Sequence, residues 1–471
     1  MSDQTIIECR LHRAARLFGN ATALISATEQ ISFRELDRLV NDRAIELQEQ
    51  GICHQRWVAL RITTSSQGIT DWLAAIRAGA LVLPVAARMP EAGLQSLLAK
   101  QGINSYIPEP GELPRTTAHD DTFTRLGKAD NSGSKTVELR LSFAIDQPCA
   151  GVLTSGSTGR PRLAVHSYAN HVRSAQGSQQ LIPLSPEDRY LLSLPLYHVG
   201  GLAIIMRCLE AGATIVLDGR AEDVLYLREQ RISHISMVET QFRRLLEQYE
   251  QHAIELPELR CILLGGGPIA DSLLQKALQI GLPCYLSYGM TEMTSQVLTH
   301  DPQGRAHILP YREISLAADG EILVRGETLF IGYIYHGTLD PAIDNGGWLR
   351  TRDIGRWQGE GLAIIGRKDN QFISGGENIQ PEAIEHELRR HPAIRNAVVV
   401  SRPDSEFGRR PVAFIDSPGQ LPATDELQAW LRERLTAFMI PDEVFALPRQ
   451  EGLKIQRSHL QQLAEQNLKA P

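Results

Sequence analysis

The sequence predicts an α/β protein: a large N-terminal domain of parallel sheets covered by helices, a small β-rich subdomain, and a small α+β C-terminal domain. Short β-branched runs alternate with stretches of helical spacing up to about residue 290, the repetition that buries parallel strands between helices. From about Tyr311 the texture turns to short strands separated by turns. The polar break Arg367-Lys368-Asp369-Asn370 then sets off the remaining hundred or so residues. At 471 residues the chain is too long for one average domain. The boundaries are expected at 1–366, a linker at 367–370, and 371–471.

Residues 31–50 place Leu36, Leu39, Val40, Ala44 and Leu47 at helical spacing with polar residues between. Trp57–Ile62 is a short strand, residues 69–80 a helix, and residues 81–85 a strand ended by its proline. Residues 108–135 are polar and rich in Pro, Gly, Asp, Thr and Ser, a surface connection. Strands at 190–195, 213–217, 235–238 and 261–264 then alternate with helices at 201–209, 240–249 and 271–279, and residues 283–287 are strand-like. Strands at 313–316, 321–325 and 361–365 make the β-rich part. Pro381 opens a helix over 381–390, strands follow at 398–400 and 412–415, and a helix covers 426–435.

A 42% hydrophobic and 22% charged composition belongs to a globular protein with a sizeable core. The net charge of −7 gives no electrostatic reason to expect nucleic acid. No run of eighteen apolar residues is present, so no membrane span is expected, and Met1-Ser2-Asp3-Gln4 does not resemble a signal peptide. Cys9, Cys53, Cys149, Cys208, Cys261 and Cys284 lie far apart without a Cys-x-x-Cys pair. That spread suits reduced thiols in a cytoplasmic protein better than disulfides or zinc.

The chemistry concentrates in a few short stretches. Thr154-Ser155-Gly156-Ser157-Thr158-Gly159 is small and hydroxyl-rich, and Arg160-Pro161-Arg162 follows it with two cations. Backbone amides approach an anion only where side chains are small, so the loop reads either as a phosphate cradle or as a plain Ser/Gly turn. It is not a Walker A loop, because no Lys-Ser or Lys-Thr follows Gly159. Gly265-Gly266-Gly267-Pro268 leaves strand 261–264 where open parallel sheets bind ligands, or is a tight strand–helix turn. Tyr288-Gly289-Met290-Thr291-Glu292 offers a ring that can stack on a base, a hydroxyl, and a carboxylate able to hold Mg²⁺. Asp353, in Thr351-Arg352-Asp353, can accept two ribose hydroxyls or sit in a surface ion pair. Gly375-Gly376 opens into a helix, and Lys454 lies in a stretch that also suits a solvated hairpin.

Taken in order, Thr-Ser-Gly-Ser-Thr-Gly, Gly-Gly-Gly-Pro, Tyr-Gly-Met-Thr-Glu, Thr-Arg-Asp, Gly-Arg-x-Asp, Gly-Gly-Glu-Asn and a late lysine resemble the adenylate-forming superfamily of acyl-CoA synthetases, carrier-protein adenylation domains and luciferases. The resemblance covers essentially the whole chain. Arg352 stands where most of that superfamily has glycine, and Leu453 is an extra residue between Gly452 and Lys454. With the run Leu309-Pro310-Tyr311-Arg312-Glu313-Ile314 and the stretch 369–382, these departures are similar to the branch of o-succinylbenzoate–CoA ligases.

The resemblance implies two half-reactions: a carboxylate attacks the α-phosphate of ATP to give acyl-AMP and pyrophosphate, and CoA thiolate then displaces AMP. It implies that Thr154, Ser155, Gly156, Ser157, Thr158, Gly159 and Arg162 hold the β- and γ-phosphates, with Arg162 replacing the usual lysine. Gly266, Gly267 and Pro268 would line one side of adenine, and Tyr288 with Gly289 the other. Thr291 would touch the α-phosphate, Glu292 would hold Mg²⁺, and Asp353 and Arg367 would grip the ribose. Lys454 would bridge carboxylate and phosphate oxygens. Asp369 would be the hinge of a mobile C-terminal domain, carrying Gly375 and Gly376 toward a CoA tunnel. His198, in Pro195-Leu196-Tyr197-His198, would lie near the reacting carboxylate, unless it is a satisfied core residue. Arg207 stands in an apolar run and needs a partner, either an internal ion pair or a second substrate carboxylate met with Ser236 and Ser287. The partners implied are a small carboxylic acid, ATP and CoA, and a homo-oligomer is compatible with the family. The rivals are a ligase for a fatty, aryl or amino acid, one that loads a carrier protein, and a non-catalytic nucleotide-binding relative.

Overall fold

The computed structural model describes residues 6–52, 55–112, 114–116, 139–154, 162–252, 254–335, 338–359, 361–448 and 457–466. The chain divides into two compact units, one of residues 1–267, 277–313 and 324–348, the other of residues 268–276, 314–323 and 349–471.

Two large sheets build the first unit. One has eight strands, in the order Thr338–Asp340, Gly332–Tyr335, Arg162–Ser167, Pro148–Thr154, Leu81–Ala86, Trp57–Ile62, Ser105–Ile107 and Arg115–Thr116. The other has nine, in the order Ala306–Ile308, Ser295–His300, Cys284–Met290, Cys261–Leu264, His234–Met237, Arg189–Leu191, Thr214–Val216, Thr22–Ile25 and Gln30–Ser32. The expected parallel pairing holds in the middle of each sheet. The flanks are antiparallel, because short connections join Pro148–Thr154 to Arg162–Ser167 and Cys284–Met290 to Ser295–His300. So few intervening residues cannot make the crossover that parallel neighbours need, and the sheets are therefore mixed.

Ser32 caps the helix Phe33–Glu49 by accepting from the Glu35 amide at 3.2 Å. Leu36, Val40, Ala44 and Leu47 face the core as their spacing predicts. Their core runs on through Trp72, Val82, Ile204 and Cys208, so helices from both sheets share one apolar interior. The strand expected over 190–195 is only Arg189–Leu191, because Pro195 starts a turn closed by the His198 amide at 3.2 Å, which feeds the helix Val199–Ala211. Pro84 does not end its strand: pairing with Trp57–Ile62 continues through Val85 and Ala86. No helix among the described residues is long and apolar enough to cross a membrane.

A four-stranded sheet, most of whose residues belong to the second unit, runs in the order Glu313–Leu316, Glu321–Arg325, Leu349–Gln358 and Gly361–Arg367. A hairpin of Phe372–Ser374 and Glu377–Ile379 follows. Its two-residue turn, Gly375-Gly376, has φ of +58° and +86°, the left-handed pair that tight hairpins require. The last hundred residues form a three-stranded sheet of Asn396–Asp404, Gly408–Asp416 and Glu443–Ala446. Strand alternation covers both its faces. Val399 and Ile415 pack with Ile384 and Leu427 of two helices, while Val398 and Phe414 pack with Leu460 of Arg457–Gln466.

Candidate active site

Arg207 lies in the middle of Val199–Ala211, among Leu202, Ile204, Ile205 and Leu209, and is only 4% exposed. It donates to Gln296 Oε1 at 2.7 Å, Ser295 Oγ at 3.3 Å and the Tyr190 hydroxyl at 3.4 Å. Among the described residues it has no carboxylate partner, and its Nε is buried without any. The internal ion pair that apolar surroundings would suggest is therefore not formed there. The contacts branch outward from this cation. The Tyr190 hydroxyl and Ser236 Oγ are hydrogen-bonded at 2.7 Å, and burial pushes the phenol up to about 12, which keeps it neutral. On the other side Gln296 Nε2 donates to Thr299 Oγ1 at 3.0 Å, which reaches Ser287 Oγ at 3.4 Å. Arg207, Ser236 and Ser287 thus belong to one network, with Tyr190, Gln296 and Thr299 as links that sequence reading did not name.

Strand order explains this convergence. Met237, Leu264 and Leu286 align in register on three parallel strands, so residues 265–267 and 287–289 emerge at one carboxyl edge. His234–Met237 and Cys261–Leu264 are buried throughout, whereas Cys284–Met290 beside them has no fully buried residue. A strand inside a nine-stranded sheet is left half-covered only where the layer above it is open. Gly265 is half-buried, and Gly266, Gly267 and Gly289 are exposed along that opening, with the Tyr288 ring half-buried between. Gly289 admits no side chain, because a Cβ there would stand 2.2 Å from the Ser295 carbonyl oxygen. Pro268 belongs to the second unit.

A second group surrounds the turn Thr291–Met293. The buried His166 holds it by donating from Nε2 to the Thr291 carbonyl at 2.8 Å. Burial pulls this imidazole down to about 4, so it is neutral and the carbonyl fixes its tautomer. Glu292 Oε1 accepts from the Tyr333 hydroxyl at 2.5 Å. Burial, and then the Glu292 charge, raise the Tyr333 phenol far above its ordinary value. The Arg162 guanidinium stacks 5.3 Å from the Tyr333 ring centre, and Thr154 pairs with Arg162 across the hairpin. Tyr333 therefore couples the expected phosphate-loop cation to the expected metal carboxylate. Sequence reading gives Tyr333 no role, and nothing in the run 330–333 marks one. No cluster of three or more His, Cys, Asp or Glu able to hold a metal occurs among the described residues. A single carboxylate such as Glu292 fits Mg²⁺ carried in on a nucleotide, since Mg²⁺ takes one or two carboxylates plus phosphate oxygens.

In the second unit Asp353 is 8% exposed and pairs in register with Arg367, whose Nη1 lies 2.9 Å from Asp353 Oδ1. Asp369 sits in the turn Lys368–Asn370, 3.0 Å from Arg352 Nη1 and 3.4 Å from Arg367 Nη2. His198 is exposed at the start of the helix that carries Arg207 and joins none of the contacts described for that arginine. Ser155, Gly156, Ser157, Thr158, Gly159 and Lys454 lie outside the described residues.

The chain matches the AMP-binding enzyme family over residues 11–334 and the AMP-binding enzyme C-terminal domain over residues 383–458. It is 35% identical to 2-succinylbenzoate–CoA ligase of Escherichia coli (strain K12) over 451 residues, 94% of this chain and 95% of that one. Among solved structures it is similar to o-succinylbenzoate CoA synthetase from Bacillus subtilis in complex with the acyl-adenylate intermediate OSB-AMP. That match has a TM-score of 0.82 and 27% identity, over 95% of this chain and 96% of the other. The same enzyme in complex with ATP and magnesium ion matches with a TM-score of 0.81 and 27% identity, over 95% and 97%. With two sheets, an open carboxyl edge and full-length similarity of this degree, the chain belongs to the AMP-binding enzyme family, among the relatives named 2-succinylbenzoate–CoA ligases.

Proposed function

We propose that this chain is an ATP-dependent acid–thiol ligase that converts 2-succinylbenzoate and CoA to 2-succinylbenzoyl-CoA, AMP and pyrophosphate through an acyl-AMP intermediate. The observation that carries the acid's identity is Arg207, a buried guanidinium without a carboxylate among the described residues, joined to Ser236 and Ser287. A buried cation left with neutral partners is costly, and the non-reacting carboxylate of a dicarboxylate offsets that cost when it binds.

In this reading Gly266, Gly267, Pro268, Tyr288 and Gly289 hold adenine, Asp353 and Arg367 the ribose, and residues 154–159 with Arg162 the β- and γ-phosphates. His166 keeps Thr291 presented to the α-phosphate by holding its carbonyl. Glu292, oriented by Tyr333, takes Mg²⁺, which supplies charge neutralisation to the phosphates. Lys454 stabilises the charge that develops as carboxylate meets α-phosphate, with His198 beside the reacting carboxylate. Residues 371–471 then turn about Asp369, and Gly375-Gly376 comes to the CoA side. The chain acts on small molecules, as a single chain or a homo-oligomer, and its substrates ATP and CoA put the reaction in the cytoplasm.

Pyrophosphate release across a panel of carboxylic acids, with and without CoA, tests this. 2-Succinylbenzoate should release pyrophosphate at least about tenfold faster than benzoate or a fatty acid, the gap expected where a buried charged hydrogen bond is lost. Product thioester should form only with CoA. Faster turnover of a monocarboxylic acid, or transfer only to a carrier protein, would replace the proposal with one of those activities.

A further inference from the structure

Arg207 is not the only cation in its surroundings. Arg312, in the run that follows Pro310-Tyr311, is 6% exposed and has no carboxylate partner among the described residues. Its Nε donates to the Gln296 carbonyl at 2.5 Å, Nη1 to the Pro310 carbonyl at 2.7 Å, and Nη2 to Ser174 Oγ at 3.0 Å. Space for the guanidinium comes from Gly177, where a Cβ would stand 2.3 Å from Arg312 Nη1. Gln296 is the shared element: its backbone is held by Arg312 and its side-chain oxygen meets Arg207.

We propose that Arg312 is a positioning and specificity residue of the acid pocket, a second buried cation that fixes Gln296 against Arg207 and favours acids with a free carboxylate at that end. The proposal rests on the acid-site reading of Arg207. Two guanidinium groups that share one residue, both nearly dehydrated and both bonded only to neutral oxygens, leave a region of uncompensated positive charge. Burial, with the Arg207 charge second, pulls Arg312 down to about 9, so it still carries its charge at neutral pH. Because each of its three nitrogens donates to a protein acceptor, Arg312 acts on a ligand in two ways: by its field, and by holding the strand that carries Gln296 and Thr299. A residue that merely straps the helix Tyr168–Leu181 to the strand Ser295–His300 would affect stability without affecting which acids are accepted.

The test compares kcat/KM for 2-succinylbenzoate with that for an analogue whose non-reacting carboxylate is an amide, in the full-length protein with ATP and CoA. Arg207→Ala is the reference and should collapse that preference. Arg312→Gln should lower the preference by about tenfold or more through KM for the diacid, leaving KM for ATP in place, the scale of a lost charged hydrogen bond. Arg312→Lys, which keeps the charge, should recover part of it. A preference unchanged in Arg312→Gln while Arg207→Ala destroys it overturns the role of Arg312 alone. A preference that survives Arg207→Ala overturns the acid-site reading and this inference with it. Should Arg312→Gln fail to fold, Ser174→Ala removes one anchor and keeps the cation. A preference reduced by a few-fold then supports the proposal, and an unchanged one rejects it.

Discussion

At position 352 the backbone is left-handed, with φ of +67°, although the residue there carries a Cβ. The resemblance to adenylate-forming enzymes marks this as a glycine position, and the backbone gives the reason. An L-residue in that region costs about 1–2 kcal/mol. Arg352 offsets part of this through its amide, which Glu321 Oε1 accepts at 3.0 Å, and through its pair with Asp369. The side chain is 61% exposed, so that pair is worth no more than about 1 kcal/mol. The ranking of substitutions follows. Arg352→Gly removes strain and ion pair together, whereas Arg352→Ala removes only the ion pair. Urea unfolding should find the glycine variant more stable than the alanine variant by about 1 kcal/mol, the reverse of their order in a helix. Equal stabilities, or alanine ahead, would show that the backbone relaxes without cost. The sequence exposed Arg352 as a departure but not its geometry. In the same way Arg207 was visible as a cation in an apolar run, while Arg312, Tyr333 and His166 were not. Their partners are carbonyls, a hydroxyl and a carboxylate that lie as far as 138 positions away in the chain, and no local pattern records such a partner.

The helix Tyr168–Leu181 illustrates how one element supports the site. Ser167 and Asn170 form its capping box, and Asn170 also donates to the Glu327 and Leu329 carbonyls at 2.9 Å each. Ser174 donates to the Thr294 carbonyl at 2.6 Å, and His166, just before the helix, holds Thr291. Under this brace His171 is 2% exposed, and neither of its ring nitrogens has a hydrogen-bond partner among the described residues. It packs 5.4 Å from the His166 ring and 6.2 Å from that of Trp72. Burial, and then the neighbouring His166, pull its imidazole down to about 3. The folded protein thus keeps both rings neutral, while the unfolded chain takes up their protons below about pH 6.5. Their stabilisation is complete above that pH and drains away as the pH falls toward about 4 for His166 and about 3 for His171. His171→Leu removes one of these protons at little cost in hydrogen bonding. Its unfolding free energy should drop between pH 7 and pH 5 by about 2 kcal/mol less than that of the native chain. Parallel pH profiles for the two proteins would show that His171 does not titrate on unfolding. The elements themselves were largely legible, since periodicity located Cys261–Leu264, Asp271–Gln279 and Glu313–Leu316 without error. Residues 192–195 were misread because apolar character there serves a turn beneath a helix and not a strand, and Pro84 because its missing amide is tolerated inside Leu81–Ala86.

For the molecule as a whole, motif order disclosed the chemistry and sheet topology disclosed its place. The glycines at 265–267 and the Tyr288 strand lie many residues apart, yet parallel register puts both at one carboxyl edge. Division of the chain was harder to foresee. The β-rich strands Glu321–Arg325 and Leu349–Gln358 lie in the same four-stranded sheet, yet the first is shared between the two units and the second falls with the C-terminal residues. Polar linker composition locates a flexible segment, but it does not say which strands will pair around it. The proposed reaction has two steps at different atoms, attack of the carboxylate on the α-phosphorus and then attack of the CoA thiolate on the acyl carbon, so it needs different groups in turn. If Lys454 serves only the step in which charge builds between carboxylate and α-phosphate, its loss should be felt there and nowhere else. Lys454→Ala should therefore slow pyrophosphate release from ATP and acid by about a hundredfold or more, the scale of one lost oxyanion donor. Supplied with synthetic acyl-AMP and CoA, the same variant should form thioester at close to the native rate. Equal damage to both half-reactions would mean that Lys454 supports the fold or a shared binding step, and the alternation of residues 371–471 about Asp369 would lose its main support.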